Sequence, residues 1–341
     1  MVFEDMLKID GSYLEGGGQI LRTSLGLATV LNKEIEIYDI RKKRTNPGLA
    51  TQHLKVIEAF KEIFKAEVLG DKLGSYNIKF FPSQEIKSDY IKIVPKTSAS
   101  VGLILQAILL PLYFLNKKVT LEISGGTAGK WAIPVEFYPY VVFPLLNIEA
   151  EFKIKKRGYY PKGGGIVIVS FKNFSFKKID LVEAKNLETI IVMSFASKTL
   201  QKKKVAERQL ETALNILKQN LKNTEFQIEL EYFDTESIGS QVNICARFSS
   251  GAILWGDSLG EPTKSAEDVG KEAAKKLLDE INVNSACDVH LADNLIPYVA
   301  FLGKKFRTSS ISKHTLTNIW VCENFLGKIF KTENNIIERI G

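Results

Sequence analysis

The sequence predicts an α/β chain of the α+β kind, assembled from related units, with a small α/β domain inserted late. Three observations predict it. Strand-like and helix-like segments alternate, their order recurs about 84 positions later, and a weaker third copy follows only after an excess of residues. At 341 residues the chain also exceeds the usual size of a single core, so a main domain plus a second unit is expected on length alone.

The first copy opens with DGSYLEGGGQILRTSLGLA, residues 10–28, an acidic glycine-rich turn running into an apolar helix. Helix-like GLATVLNKEIEIYDI at 26–40 matches YFLNKKVTLEISGG at 113–126, with Asn32-Lys33 falling on Asn116-Lys117. At the same offset a helix over 48–64 falls on one expected over 135–148, and the copies close on Ala66-Glu67 and Ala150-Glu151. The third copy, LADNLIPYVAFLGKKFRTSSISKHTLTNIWVCENFL, lies about 187 positions after its second-copy equivalent, which, less one repeat of about 84, leaves roughly 103 extra residues between copies two and three. Within that excess, ETIIVMSF alternates like a strand and KKKVAERQLETALNILKQNL has helical periodicity. FQIELEYF and NICARFSSGAILWGDS read as strands, and SAEDVGKEAAKKLLDEI reads as a capped helix. The expected division is therefore 1–183 with 280–341 as a large domain of three repeats, and 184–279 as the inserted domain.

Composition excludes several classes. Hydrophobic residues at 45% and charged residues at 25%, with 24 Gly and 10 Pro, rule out collagen-like, low-complexity and largely disordered chains. A net charge of +7 suits an anionic partner, although solubility alone also explains it. Cys245, Cys287 and Cys322 are odd in number and outside any CxxC spacing, so neither a disulfide framework nor a zinc site is expected. The acidic, polar start is not that of a secretion signal, and the longest apolar stretch, 101–115, is too short for a bilayer. A soluble cytoplasmic protein without a membrane partner is expected.

Several segments carry candidate chemistry. Gly16, Gly17 and Gly18 let backbone N–H groups approach a phosphate at a helix start, and Glu15 is placed to hold a metal; a tight strand-to-helix turn explains the same residues. Arg41 and Arg44, at spacing three before Asn-Pro-Gly, match phosphate oxygens or are exposed loop charges; Arg22 strengthens the first reading if its helix faces the same space. Of three histidines, His53, His290 and His314, the last sits at a polar strand-to-helix junction where an imidazole can be exposed at an anionic site and attack phosphorus, although on its own a lone histidine is more often structural. SGGTAGKWAIP at 124–134 and RGYYPKGGGIV at 157–167 serve either as rims of one cleft or as turns between repeats, and Lys202–Lys204 reads best as a solvated helix start, with an RNA-tracking patch as the alternative.

Taken together, EGGGQILR at 15–22, RxxRxxPGL at 41–49, Gln52-His53-Leu54, SGGT at 124–127, RGYYPKGGG at 157–165, HLADNL at 290–295 and HTLTNI at 314–319 resemble the RNA 3′-terminal phosphate cyclase family in order and almost end to end. The resemblance implies a ligase-class enzyme. Its reaction would be ATP-dependent conversion of an RNA 3′-phosphate end to a 2′,3′-cyclic phosphodiester, through a covalent histidinyl-AMP and an RNA(3′)pp(5′)A intermediate, with Mg2+ or Mn2+. It also implies three βαβαββ-type units like the C-terminal domain of a bacterial translation initiation factor, with the small domain inserted before the third.

Position by position, His314 matches the nucleotidylated histidine and Glu15 the metal-contacting acid. Arg22, Arg41, Arg44 and Gln52 match side chains needed for activity. Gln106, Pro134 and His290, Leu291, Ala292, Asp293 and Asn294 match the adenylate pocket, Asp293 either orienting the imidazole or contacting nucleotide. His290 departs from the Tyr found in some relatives and Asn294 from the common Gln, and the Lys130–Ile133 stretch is less proline-rich, which touches details of adenine stacking and leaves the nucleophile and phosphate ligands intact. The implied partner is RNA with a 3′-phosphate end, and the oligomeric state stays open, a homodimer included. The alternative is a non-catalytic cyclase-like protein of ribosome biogenesis, from which His314 separates this chain; an enolpyruvyl-transfer enzyme of similar repeats does not account for HTLTNI beside the arginine loop.

Overall fold

The structure is a computed structural model that describes residues 6–94, 99–130 and 132–340; Trp131 of the Lys130–Ile133 stretch lies outside the described residues. The chain runs through β1 (Leu7–Asp10), α1 (Gly18–Leu31), β2 (Ile35–Tyr38), α2 (Thr51–Phe64), β3 (Glu67–Leu69) and β4 (Ile78–Phe81). Strand β1 pairs in parallel with β2, β2 antiparallel with β4, and β4 with β3. The second set is β5 (Tyr90–Ile93), α3 (Val101–Phe114), β6 (Thr120–Gly125), a π turn at Tyr138–Val142 leading into α4 (Phe143–Leu145), β7 (Ile148–Lys156) and β8 (Gly165–Phe174). Its sheet, β5-β6-β8-β7, repeats the first order, β1-β2-β4-β3.

Asn32, which caps α1 at φ 49°, and Asn116, which follows α3 at φ 50°, hold the left-handed conformation that asparagine tolerates better than most residues. Their recurrence at the 84-residue offset therefore marks two equivalent helix ends. The helix expected over 135–148 is reduced to the π turn and α4, because Pro139 and Pro144 each lack the N–H that a continuing α-helix needs.

Next comes β9 (Ile179–Leu181), then β10 (Leu187–Ser197), α5 (Val205–Asn220), β11 (Glu225–Phe233), β12 (Ser240–Phe248), β13 (Ile253–Leu259) and α6 (Ala266–Asn282). The chain closes with α7 (Val289–Leu302), β14 (Lys304–Arg307), α8 (Lys313–Leu326), β15 (Phe330–Glu333) and β16 (Ile336–Arg339). Strand β9 pairs in parallel with β14, giving β9-β14-β16-β15, the same order a third time, while β11-β10-β12-β13 form a separate sheet. That separate sheet is greasy on both faces. Ile191, Met193 and Phe195 of β10 join the large core, whereas Ile190 and Val192 join a second core with Leu210, Leu217 and Leu277 of α5 and α6. Burial on both faces explains why β10 reads as a nearly unbroken apolar run.

Helix α1 packs against both α3 and α8, and α7 packs against α8. Gly26 makes the α1–α3 approach close: a methyl there would lie 3.1 Å from Leu110 Cδ2 and 3.3 Å from the Ala107 carbonyl oxygen. The loop 157–165 fastens the separate sheet to the second set. Arg157 is buried against Glu136, with its guanidinium 3.8 Å from the Phe195 ring and 4.5 Å from the Phe233 ring. Arg157 is thus a seam residue.

Candidate active site

Three helix starts converge, and hydrogen bonds hold them in register. The side chain of Ser312, N-cap of α8, accepts from the Thr315 N–H at 2.9 Å, which satisfies one free donor of the first turn. Asp293 of α7 accepts at one oxygen from Ser312 Oγ (2.8 Å) and Thr315 Oγ1 (2.6 Å). Asn318 donates to the Asp293 carbonyl at 2.7 Å and accepts from Thr23 of α1 at 2.8 Å. Burial raises the Asp293 carboxyl pKa, against the pull of these two hydroxyls and of His314 and His290. Asp293 therefore braces the start of α8.

His314 projects from that first turn, half-exposed, and its backbone carbonyl accepts from Gln19 Nε2 of α1 at 2.7 Å. Its Nε2 lies 3.6 Å from Glu15 Oε2, the same oxygen that lies 3.6 Å from Arg44 Nη2, and Lys313 Nζ is 3.9 Å from Glu15 Oε1. An imidazole, a carboxylate and two cations thus share one exposed patch, at a helix N-terminus that favours anions.

Behind the patch, Arg22 Nε donates to Gln106 Oε1 at 2.8 Å and Gln106 Nε2 donates to Asn294 Oδ1 at 3.0 Å. Arg22 and Gln106 are 84 positions apart, the repeat offset itself, so equivalent positions of successive units meet at the junction. Burial lowers the Arg22 pKa to about 10, which leaves the guanidinium charged at neutral pH. Burial and the neighbouring Arg44 lower that of Arg41, whose Nη1 donates to the Gly48 carbonyl at 2.9 Å. A cavity of about 30 Å³, bounded by Arg22, Gln106, Tyr138, Asp293, Asn294 and Asn318, has room for ordered water.

The structure thus brings Glu15, Arg44 and His314 together in front, and Arg22, Gln106, Asp293 and Asn294 behind. Gln52 is exposed on the first turn of α2, His290 is exposed at the start of α7, Pro134 is buried at the end of the 126–134 loop, and Leu291 and Ala292 belong to the core. Lys202–Lys204 is exposed where a 3-10 turn leads into α5. The sequence reading gave no role to Lys313, Gln19 or His53. Adjacency to His314 points to the first and the glycine motif to the second, whereas nothing in the sequence marks the environment of His53.

Among the described residues no group of three or more His, Cys, Asp or Glu is arranged to hold a metal. A hard cation fits here only with Glu15 as a single-carboxylate anchor and substrate phosphates filling its remaining positions, a mode that suits Mg2+. Nor, among the described residues, is any helix long and apolar enough to cross a membrane.

A family model described as RNA 3′-terminal phosphate cyclase matches residues 13–332. A protein of Thermococcus sibiricus named RNA 3′-terminal phosphate cyclase is 38% identical over 344 residues, covering 97% of this chain and 96% of the relative. The Archaeoglobus fulgidus protein of the same name is 39% identical over 342 residues, covering 97% and 99%. With a family model matching residues 13–332 and relatives 38–39% identical almost end to end, this chain belongs to the RNA 3′-terminal phosphate cyclase family.

Proposed function

We propose that this enzyme uses ATP to convert RNA 3′-phosphate ends to 2′,3′-cyclic phosphodiesters, with His314 as the nucleophile. The observation that carries the reading is the half-exposed imidazole at the N-terminus of α8, facing Glu15 with Arg44 and Lys313 beside it. In the first step His314 Nε2 bonds to the α-phosphorus and the bond to the β-phosphate bridging oxygen breaks, releasing pyrophosphate. Arg22, Arg41, Arg44 and Lys313 offset negative charge on the phosphoryl oxygens. Gln52 extends this phosphate-contacting set. A divalent ion, Mg2+ or Mn2+, would be held by Glu15 and would supply further charge neutralisation.

The RNA 3′-phosphate then attacks the same phosphorus, the N–P bond breaks, and an RNA(3′)pp(5′)A end forms. The adjacent ribose 2′-OH attacks the RNA phosphorus, loses its proton, and expels AMP; held at intramolecular distance, it needs little beyond orientation. Asp293 acts by holding Ser312 and Thr315, and with them the turn that aims His314. The adenylate is expected against Gln106, Pro134 and the 290–294 segment. The division into 1–183 with 280–341 and 184–279, and a cytoplasmic location, belong to the same proposal.

The test is incubation with α-labelled ATP and a 3′-phosphorylated oligoribonucleotide, reading both protein label and end structure. Wild-type protein acquires acid-labile label and produces cyclic ends, and His314→Ala does neither. Label on the His314→Ala protein would sink the assignment.

A further inference from the structure

A buried donor without an acceptor lies at the start of α1. Gly17, its N-cap, provides no side-chain cap for the N–H groups of the first turn. Beside that turn lies His53 of α2, 1% exposed, whose Nε2 is buried and has no hydrogen-bond partner. The other ring nitrogen, Nδ1, accepts the Ala50 N–H at 2.9 Å, so an uncharged ring carries its proton on Nε2 and presents a donor there. Burial and the charges of Arg22 on α1 and Arg41 on the 39–48 loop push the His53 pKa down to about 3, which keeps the ring uncharged at working pH.

Gly18 connects these groups. A methyl on Gly18 would sit 2.2 Å from His53 Nε2 and 3.2 Å from Arg22 Nη1, and one on Gly17 would sit 3.5 Å from Arg44 Nη2. At position 18 only glycine permits this approach of helix backbone to the imidazole, whereas the distance at Gly17 is an ordinary van der Waals contact. A buried donor left unpaired is costly, and a set of converging donors recovers that cost when an anion supplies the acceptors. An imidazolium squeezed between two guanidinium groups would be repelled, whereas a neutral N–H adds a hydrogen bond without adding charge.

We propose that the first turn of α1, with Gly18, Arg22 and Arg44, is a receptor for a phosphoryl oxyanion, and that His53 takes part as its uncharged hydrogen-bond donor through Nε2. The identity of the anion rests on the function proposed above: it is either the terminal phosphate of RNA or a phosphate of ATP, and the two arms of the test separate them.

The full chain is labelled with 15N-histidine and observed by long-range 1H–15N correlation, in which three histidines give a readily assigned spectrum. His53 is expected as the Nε2–H tautomer. Its Nε2 resonance should shift on addition of a 3′-phosphorylated oligoribonucleotide or of ATP, and stay put with the same oligonucleotide ending in a 3′-hydroxyl; whichever arm shifts it names the phosphate. In parallel, His53→Phe and Gly18→Ala should each lose tenfold or more of the affinity for the ligand so named, and His53→Gln, which restores an N–H, should regain part of it, with thermal melts confirming that the variants fold. An Nδ1–H tautomer, a resonance indifferent to both ligands, or a folded His53→Phe protein that binds both like wild type overturns the proposal. Neither readout needs adenylylation. Phosphate binding at His53 without label on His314 would therefore discard the proposed reaction alone, and label on His314 with a silent His53 would discard the receptor alone.

Discussion

Replacing Arg157 by Met tests the seam between the separate sheet and the second set. The Arg157 and Glu136 side chains are 5% and 4% exposed, and Glu136 also accepts from Gln241 Nε2 of β12 at 3.3 Å. Met keeps most of the stem volume but leaves the Glu136 carboxylate buried without its cation, a situation that costs about 3–5 kcal/mol. Loss of the guanidinium from above the Phe195 and Phe233 rings contributes about 1–2 kcal/mol of that total. The double variant Glu136→Gln with Arg157→Met removes the stranded charge while keeping an oxygen for Gln241, so it should be more stable than Arg157→Met alone by about 2 kcal/mol. Urea unfolding followed by far-UV circular dichroism measures both. If the single variant loses less than about 1 kcal/mol, or the second substitution adds to the loss, the seam is not held by this pair.

Two further perturbations follow from the site. Burial raises the carboxyl of Asp288, the N-cap of α7, to a pKa of about 6. The native state then binds this proton more tightly than the unfolded chain, so the group lowers stability as pH rises from about 4 to 6. Asp288→Asn removes that penalty while retaining a capping oxygen, and denaturant titrations should show wild type gaining on the variant, by ~3 kcal/mol at most, between pH 7 and pH 4; a difference independent of pH would contradict the assignment. Gln106→Leu strands Arg22 Nε and Asn294 Oδ1 and should cost about 1–3 kcal/mol, read as a lower Tm and as a higher ATP concentration for half-maximal labelling; an unchanged Tm would show that the bridge is dispensable.

The repeat was legible because its strongest markers have a local physical cause. Asn32 and Asn116 recur since each helix must end in a left-handed residue, and Arg22 and Gln106 recur at that offset because they meet. The second helix of the second set was overestimated, since the offset carries no information about where Pro139 and Pro144 interrupt hydrogen bonding. Strand β9 escaped notice because three residues have no periodicity to read and their partner β14 lies far along the chain. The glycine-rich 157–167 segment looked equally like a cleft rim or a turn. Choosing between them required seeing Arg157 enclosed by Phe195 and Phe233, which lie 38 and 76 positions away. The roles of the motif residues came from resemblance; the bracing by Asp293 and the unpaired nitrogen of His53 are tertiary facts with no local signature.

The pairing of β9 with β14 sets an order on how the polypeptide matures. Lys304 bonds Asp180 across 124 positions, so a ribosome releases β9 long before its neighbour exists. The intervening stretch has its own apolar centre, and once it collapses it draws its ends together and shortens the effective loop to be closed. Because the closing strand β14 leads directly into the turn that carries His314, chains truncated or stalled before it can possess the arginine loop and the glycine turn and still lack this imidazole.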